Sequence, residues 1–199
     1  DTVTLVEHAL QEDIGPGDIT AHMLVPSHQH ATATVVSKGH GCFFGTPIIT
    51  ACHTLMPSIT YSNAITDGTP VAPKDTCVEL QGPLQDIVTI ERTLLNFLQR
   101  LSGVATTTAA YVDALNDPTI QVLDTRKTTP LMRQLEKQAI VAGGGHNHRF
   151  GLYDMVLVKE NHLHAYATNM GAFHDALRQQ KQRHPQVSIE VEVPNIPTL

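Results

Sequence analysis

Two adjacent cations, Arg126 and Lys127, lie within the segment Asp124-Thr-Arg-Lys-Thr-Thr-Pro130. The segment follows Ile120-Gln-Val-Leu123, a short, apolar and partly β-branched run that predicts a buried strand. The cations would then lie just past the carboxyl end of a strand, where barrels of alternating strands and helices carry their chemistry. Arg binds a planar carboxylate through two parallel hydrogen bonds, and Lys binds phosphate as a point charge. The segment indicates a substrate with several negative charges, although a solvated polar turn is the alternative for an Arg-Lys pair taken alone.

Further polar residues accompany the next apolar runs of the chain. Gly143-Gly-Gly-His-Asn-His-Arg149 precedes the run Met155–Val158, which ends in Lys159-Glu-Asn-His162. A third strand-like run carries Glu190 and Glu192 on alternate positions, so both carboxylates lie on one face of that strand. A carboxylate pair that faces into a barrel is costly to bury unless cations or a metal ion accompany it. The sequence therefore predicts cations, histidines and two carboxylates at the ends or inner faces of successive strands.

Twelve histidines are many for a chain of 199 residues. The pairs His146/His148 and His162/His164 are candidates for metal ligands. Neither pair has the i, i+4 helical spacing that is typical of a zinc site, and no cysteine lies nearby. We therefore favour surface or packing roles for most of the histidines. His148 differs because it lies beside Arg149 in the candidate site.

The N-terminal half is predicted to form a small α+β layer, with helices packed on a mostly antiparallel sheet. The predicted elements are helices over residues 2–13 and 47–56, and strands over residues 31–36, 58–61 and 76–80. A long helical stripe follows, in which apolar residues recur at three- and four-residue steps from Ile87 to Leu101. Arg92 lies off that stripe. A second helix is predicted from Thr106 to Leu115.

The C-terminal half is predicted to alternate strands with helices over residues 130–142 and 171–184. Such alternation implies a parallel sheet or barrel with right-handed crossovers. We therefore predict an α/β protein in two domains. Residues 1–104 form an α+β domain that includes the long connecting helix, and residues 105–199 form an α/β barrel domain.

The composition limits the classes of partner. The formal net charge of −6 argues against nucleic acid as the main partner. No apolar run approaches the roughly 20 residues that span a membrane, and no signal-peptide pattern opens the chain, so we expect a cytoplasmic protein with no membrane partner. The cysteines, Cys42, Cys52 and Cys77, are odd in number and have no CxxC spacing. They are typical of small buried hydrophobic residues in a reducing compartment.

Taken in order, the polar segments resemble those of nicotinate-nucleotide pyrophosphorylase, also called quinolinate phosphoribosyltransferase. The resemblance covers nearly the whole chain and rests on residues 12–20, 91–103, 124–130, 147–149, 159–162 and 190–192. It implies a sandwich-like N-terminal α+β domain followed by an incomplete (β/α) barrel domain of the quinolinate phosphoribosyltransferase type. Members of this family continue beyond the Glu-Val-Glu strand through further barrel strands and phosphate-binding loops. We expect that C-terminal part of the barrel to be absent from this chain.

The resemblance also implies a reaction. Quinolinate and 5-phosphoribosyl 1-diphosphate are converted to nicotinate mononucleotide, diphosphate and CO2, in de novo NAD biosynthesis. By resemblance, the quinolinate ligands are Arg126, His148, Arg149 and an Arg92 from a neighbouring subunit of a homodimer or larger homo-oligomer. Lys127 and Lys159 are similar to phosphate or diphosphate ligands, and Lys159 is also counted as catalytic.

Glu190 and Glu192 complete the set that the resemblance implies. One or both would hold Mg²⁺, directly or through water, or would stabilise developing positive charge on the ribose. Mg²⁺ prefers oxygen ligands and usually shares them with substrate phosphates. Arg92 has an alternative explanation, because an Arg on the polar face of a helix is commonly an ordinary surface residue.

The chain departs from the family pattern at two short places. The family usually has Gly after the Thr-Thr-Pro, where this chain has Leu131, and many members have an Arg and a small residue where this chain has Val141 and Ala142. We do not interpret either departure as a loss of activity.

Two other classes of function remain at this stage. One is a paralogue that is non-catalytic, or that resembles the molybdenum-transport-associated ModD type, and that binds another anionic ligand. The second is a metal-binding protein built on the histidine-rich segments. The complete Thr-Arg-Lys-Thr-Thr-Pro and Lys-Glu-Asn-His segments are more similar to the pyrophosphorylase.

Overall fold

The structure is a computed structural model that describes residues 1–193. Its helices are α1 (Thr2–Ile14), α2 (Ile19–Leu24), α3 (Thr46–Leu55), α4 (Leu84–Leu115), α5 (Arg133–Ala142), α6 (Glu160–His164) and α7 (Met170–Arg183). Its strands are β1 (His30–Val36), β2 (Gly41–Cys42), β3 (Thr60–Ser62), β4 (Pro70–Val71), β5 (Thr76–Pro83), β6 (Val156–Val158) and β7 (Ile189–Val191). The described residues form two compact units, which divide between Asn147 and His148.

The first unit contains the predicted antiparallel sheet. Strand β5 lies between β1 and β3 and pairs antiparallel with both, while β2 and β4 form a separate antiparallel pair. The side chains of Cys77, Val78 and Leu80 on β5 are buried in the core, where α1, α3 and α4 supply most of the other apolar groups. The α+β layer predicted for this half is therefore present.

Helix α4 is one continuous helix of 32 residues, so the prediction of a separate helix from Thr106 to Leu115 is wrong. Its buried stripe includes Ile90, Leu94 and Leu101, as the periodicity predicts. The threonines beyond Gly103 lie within the helix, and their hydroxyls donate to carbonyls four residues earlier, as Thr106 does to Ser102 at 2.7 Å. The domain boundary predicted at residue 104 falls within this helix.

The run from Ile120 to Leu123 does not form the predicted buried strand. Ile120 is 53% exposed and Leu123 is 49% exposed, and the run makes a single parallel bridge, between Leu123 and His146. Apolar composition alone is insufficient here, because a strand needs partners on its edges and the described residues provide one bridge. The run leads directly into the loop from Asp124 to Pro130.

The second unit contains the predicted alternation of strands and helices. Strands β6 and β7 pair in parallel, with Val156 opposite Ile189 and Val158 opposite Val191. Helices α6 and α7 lie between them in sequence, which is the long crossover that a parallel pair requires. Helix α7 buries Phe173 beside Tyr166, with ring centroids 5.5 Å apart.

Candidate functional site

A cation and a carboxylate meet at the carboxyl ends of β6 and β7. Lys159 directly follows β6 and Glu192 directly follows β7. Because the two strands are parallel, their carboxyl ends lie side by side, and the Glu192 amide donates to the Val158 carbonyl at 2.9 Å. Lys159 Nζ then donates to Glu192 Oε2 at 2.8 Å, and both side chains remain about half exposed. The sequence predicted Lys159 at the end of one strand and Glu192 on one face of another, and the structure brings the two side chains into contact.

A second pair joins His148 to Glu190. His148 Nε2 lies 2.9 Å from Glu190 Oε2; the histidine side chain is 17% exposed and the carboxylate 55%. Glu190 and Glu192 are both exposed, whereas Val191 between them is partly buried, so the carboxylates share a face as predicted. Arg149 is half-buried, and its guanidinium donates to the Met155 carbonyl at 3.4 Å.

His162 has a local structural role. Its Nδ1 accepts a hydrogen bond from the Lys159 amide at 2.9 Å, and this contact satisfies a backbone donor at the start of α6. Residues 160–162 thus fix the turn that follows β6. They hold the backbone of Lys159 while leaving its side chain partly open to solvent.

The loop from Asp124 to Pro130 presents Arg126 and Lys127 in the first unit. Lys127 is exposed, and its amide donates to Thr125 Oγ1 at 3.0 Å. Arg126 is half-buried, and its Nε atom is buried with no hydrogen-bond partner among the described residues. A buried donor without an acceptor costs free energy, which an anionic ligand could recover.

Arg92 is exposed on α4 and makes no hydrogen bond or ion pair with the described part of the chain. The predicted ligands divide between the two units. The first unit carries Arg92, Arg126 and Lys127, and the second carries His148, Arg149, Lys159, Glu190 and Glu192.

The sequence analysis missed a buried ion pair at the start of the loop. Lys137 on α5 donates to Asp124 Oδ1, and the two side chains are 1% and 0% exposed. With its amide oriented to satisfy its neighbours, Asn147 donates to Asp124 Oδ2 at 2.6 Å and to the Lys137 carbonyl at 3.0 Å. Removing one partner of such a pair leaves a buried charge and typically costs about 3–5 kcal/mol. The pair anchors the end of the loop that precedes Arg126.

A second missed network anchors the other end of the same loop. Glu136, also on α5, accepts hydrogen bonds from Thr129 and from Arg100 of α4. Sequence periodicity could not find these two networks, because Glu136 and Lys137 lie among the buried residues of an otherwise ordinary amphipathic helix. The one available signal is that two adjacent charged residues lie between the apolar positions Leu135 and Ala139.

The triple glycine after α5 is required by packing against α4. A Cβ atom on Gly143 would lie 2.3 Å from the Ala105 carbonyl oxygen, and one on Gly145 would lie 2.8 Å from side-chain atoms of Thr108 and Ile140. Gly144 has φ +87°, which an L side chain rarely adopts. The glycines let the chain turn closely past α4 toward Asn147 and His148.

The carboxylates offer oxygen ligands of the type that Mg²⁺ prefers. Mg²⁺ commonly uses one or two carboxylates together with substrate phosphates and water. Glu190 and Glu192 fit that description because they are exposed and share a face. Within residues 1–193, no group of three His, Cys, Asp or Glu side chains could hold a metal ion by itself.

Comparison with known proteins decides the family. The family model for the N-terminal domain of quinolinate phosphoribosyl transferase matches residues 18–102, and the model for the C-terminal domain matches residues 104–198. This chain belongs to the quinolinate phosphoribosyltransferase family. The resemblance and the fold class inferred from the sequence are therefore confirmed.

Individual family members agree with that assignment. The chain is 41% identical over 194 residues to the probable nicotinate-nucleotide pyrophosphorylase [carboxylating] of Bacillus subtilis. The matched region covers 95% of this chain and 64% of that protein. It is 37% identical to quinolinate phosphoribosyltransferase [decarboxylating] 1b of Nicotiana tabacum, over 96% of this chain and 55% of that protein.

A solved structure supports the same fold. The nicotinate-nucleotide pyrophosphorylase of Francisella tularensis superposes with a TM-score of 0.89 at 34% identity, over 99% of this chain and 68% of that one. The chain thus spans between about half and two thirds of the length of these family members. In residues 1–193, no helix has both the length and the apolar character needed to cross a membrane.

Proposed function

We propose that the protein containing this chain is a phosphoribosyltransferase. It converts quinolinate and 5-phosphoribosyl 1-diphosphate to nicotinate mononucleotide, diphosphate and CO2. The observation that carries the proposal is the cluster at the ends of β6 and β7, where Lys159 meets Glu192 and His148 meets Glu190. Such a cluster at the carboxyl edge of a parallel pair is where barrels of this type bind their substrates.

The cations suit the charges of both substrates. Quinolinate carries two carboxylates, and Arg126, Arg149 and His148 are side chains that bind carboxylates well. An Arg92 from a neighbouring subunit completes this set in the proposal. Lys127 and Lys159 bind phosphate or diphosphate oxygens as point charges, and both are exposed enough to do so without a change in the backbone.

The existing ion pairs prepare the site for an anionic ligand. Glu192 pairs with Lys159 and holds its ammonium group in place at the strand end. An approaching diphosphate competes with that carboxylate for the same donor. The Lys159 ammonium group is already positioned at the strand end, so once a diphosphate oxygen has replaced the carboxylate, little further reorganisation is needed as the transition state forms.

The bond changes then follow from the substrates. The pyridine nitrogen forms a bond to the anomeric carbon, and diphosphate leaves with the electron pair of the broken carbon–oxygen bond. The ring nitrogen is now cationic, so it stabilises the electron pair that stays on the neighbouring ring carbon when the bond from that carbon to its carboxylate breaks. CO2 leaves and a proton replaces it on the ring carbon. One or both of Glu190 and Glu192 would stabilise the positive charge that develops on the ribose during the first step, or would instead hold Mg²⁺.

Mg²⁺ is the proposed cofactor, and Glu190 and Glu192 are the residues that would hold it, directly or through water. When bound, it would neutralise charge on the diphosphate. The proposed enzyme is a homodimer or larger homo-oligomer, in which Arg92 completes the site of a neighbouring subunit.

Turnover by the intact protein tests the proposal. Formation of nicotinate mononucleotide from quinolinate and 5-phosphoribosyl 1-diphosphate should be abolished in large part by Arg149→Ala and by Lys159→Ala, with no loss of folding. Each lost charge-assisted contact should cost about 1.5–3 kcal/mol, or roughly 10- to 100-fold in rate. The matched controls are Arg178→Ala and Lys38→Ala, which remove exposed cations elsewhere and should leave turnover unchanged.

The outcomes separate the alternatives. Near wild-type kinetics for either Arg149→Ala or Lys159→Ala would remove that residue from the proposed site. Binding of quinolinate without release of CO2 and diphosphate would favour the non-catalytic paralogue that binds an anionic ligand. Binding of transition metals without any affinity for quinolinate would favour a metal-binding protein.

A further inference from the structure

Helix α5 holds the loop that carries Arg126 and Lys127 at both of its ends. The buried Lys137 contacts Asp124, where the loop begins, and the adjacent Glu136 contacts Thr129, where it ends. Glu136 is 5% exposed although it is a carboxylate on the first turns of a short helix. An ionised carboxylate is rarely buried to this degree unless it is fully hydrogen-bonded, so the contacts of Glu136 need an explanation.

The side-chain carboxylate of Glu136 makes all its hydrogen bonds in the described part of the chain to residues outside α5. Its Oε2 accepts from the Thr129 amide at 3.2 Å, and its Oε1 accepts from the Thr129 hydroxyl at 2.8 Å and from Arg100 Nη2 at 2.9 Å. Arg100 Nη2 also donates to the Thr129 hydroxyl oxygen at 3.0 Å. Helix α4, which is distant in sequence, and the end of the loop, which precedes α5 closely, therefore meet α5 at one carboxylate.

Electrostatics favour the charged form of this carboxylate. Burial raises the pKa of Glu136, but the hydrogen bonds from Thr129 and Arg100 outweigh burial and lower that pKa below its ordinary value. Arg100 reaches the site from the surface, with its side chain 58% exposed, so its own charge is not fully desolvated. At neutral pH the network is therefore an ionised carboxylate held by a cation and by two donors of one residue.

We propose that Glu136 and Arg100 are positioning residues that latch Thr129 and thereby fix the conformation in which the loop presents Arg126 and Lys127. The proposal rests on the proposed function in one respect, since Arg126 and Lys127 are taken to bind quinolinate and the phosphoribosyl donor. Neither Glu136 nor Arg100 needs to touch a substrate. Their effect passes through Thr129, two residues beyond Lys127.

The geometry distinguishes a latch from an ordinary stabilising ion pair. Glu136 accepts from the backbone amide of the loop, so loss of the carboxylate would release the main chain of Thr129 and not merely a side chain. Thr128 is held separately, because its hydroxyl accepts a hydrogen bond from Arg133 Nε at 3.2 Å. Loosening should therefore be local and should be greatest at the Thr129 amide.

The experiment compares Glu136→Ala and Glu136→Gln with two controls in the intact protein. Gln138→Ala removes an exposed side chain from the same helix, and Glu7→Gln removes an exposed negative charge from α1. The first measurement is amide hydrogen exchange, which does not depend on activity. We expect exchange at residues 125–129 to increase about tenfold or more in the Glu136 variants, with no change in β5 and none in either control.

The second measurement separates binding from chemistry. A misplaced Arg126–Lys127 loop should raise KM for quinolinate and for the phosphoribosyl donor about tenfold, and should lower kcat less. Arg100→Lys should restore part of the loss seen in Arg100→Ala, because a cation remains near Glu136. If Glu136→Ala does not fold, Thr129→Val serves instead, because it removes the hydroxyl contacts from an exposed residue at nearly constant volume.

Different results of the two measurements would contradict different parts of the proposal. Unchanged exchange at residues 125–129, or an increase spread equally over residues 1–147, would overturn the latch. Local loosening with unchanged KM values would also overturn it, because the loop would then not position the substrates. If the wild-type protein does not turn over quinolinate, the proposed function fails, and the exchange data still show whether Glu136 holds the loop.

Discussion

Leu131 is the residue at which we expect a single substitution to stabilise the protein. It has φ +65°, in the left-handed region that L side chains avoid and that Gly adopts readily. Its side chain is 87% exposed, so it contributes almost no burial that would compensate for the backbone strain. Leu131→Gly should therefore remove strain at little cost in packing.

The magnitude follows from two opposing terms. A left-handed conformation costs an L residue roughly 1–2 kcal/mol. Glycine loses more backbone entropy on folding than other residues do, and this loss offsets roughly 0.5–1 kcal/mol of the stability gained by relieving the strain. The net increase in the free energy of unfolding should be about 0.5–1 kcal/mol, which corresponds to about 1–4 °C in Tm for a domain of this size.

Urea unfolding followed by circular dichroism measures this change directly. Leu131→Ala is the matched control, because it removes most of the side chain but keeps the Cβ atom that causes the strain. Leu131→Asn should give an intermediate gain, since Asn tolerates the left-handed region better than Leu does. If Ala stabilises as much as Gly, the exposed apolar side chain and not the backbone is responsible. If Gly destabilises, the strain argument is wrong.

Two further predictions concern the proposed site. Glu190→Gln or Glu192→Gln should lower turnover and shift its dependence on Mg²⁺ concentration, because at least one of the two carboxylates should face the ion. If the Mg²⁺ titration is unchanged in both variants, the two carboxylates are purely structural. The Arg92→Ala homodimer and the Lys159→Ala homodimer should each be nearly inactive. When equal amounts of the two variants exchange subunits at random, each mixed dimer has one site with neither defect. Such mixing should therefore restore roughly a quarter of wild-type sites. No recovery after verified subunit exchange would mean that Arg92 does not serve a partner's site.

Periodicity predicted most of the fold because burial imposes it. The stripe of α4 and the alternation of β1 are visible in sequence, since one face of each element packs on the core. The prediction that the helix ends within α4 was wrong because it relied on local helical propensity. Gly103 and Thr106 lower the helical propensity of that stretch, but the packing of Ala105 and Thr108 against the turn at Gly143 and Gly145 holds the helix straight through it.

The candidate site was predictable as a set of residues and not as a set of contacts. Lys159 was predicted at a strand end and Glu192 on a strand face, yet their pairing depends on the register of β6 with β7, which places the two strand ends side by side. The latch of Glu136 depends on Arg100, which is 36 residues away. Pairings over such distances leave no periodic signal in one sequence.

The hydrogen bonds of Lys137 and Arg126 distinguish a structural cation from a proposed ligand. Lys137 is almost completely buried and is satisfied by Asp124, so it has a partner within the fold. Arg126 is different, because its buried Nε donates to no atom of the described residues. A fold retains an unsatisfied buried donor only at a cost of about 1–3 kcal/mol. If a quinolinate carboxylate accepts from Arg126, part of the binding free energy comes from removing that cost, and Arg126→Lys, which lacks the planar group, should bind quinolinate more weakly although it keeps the charge.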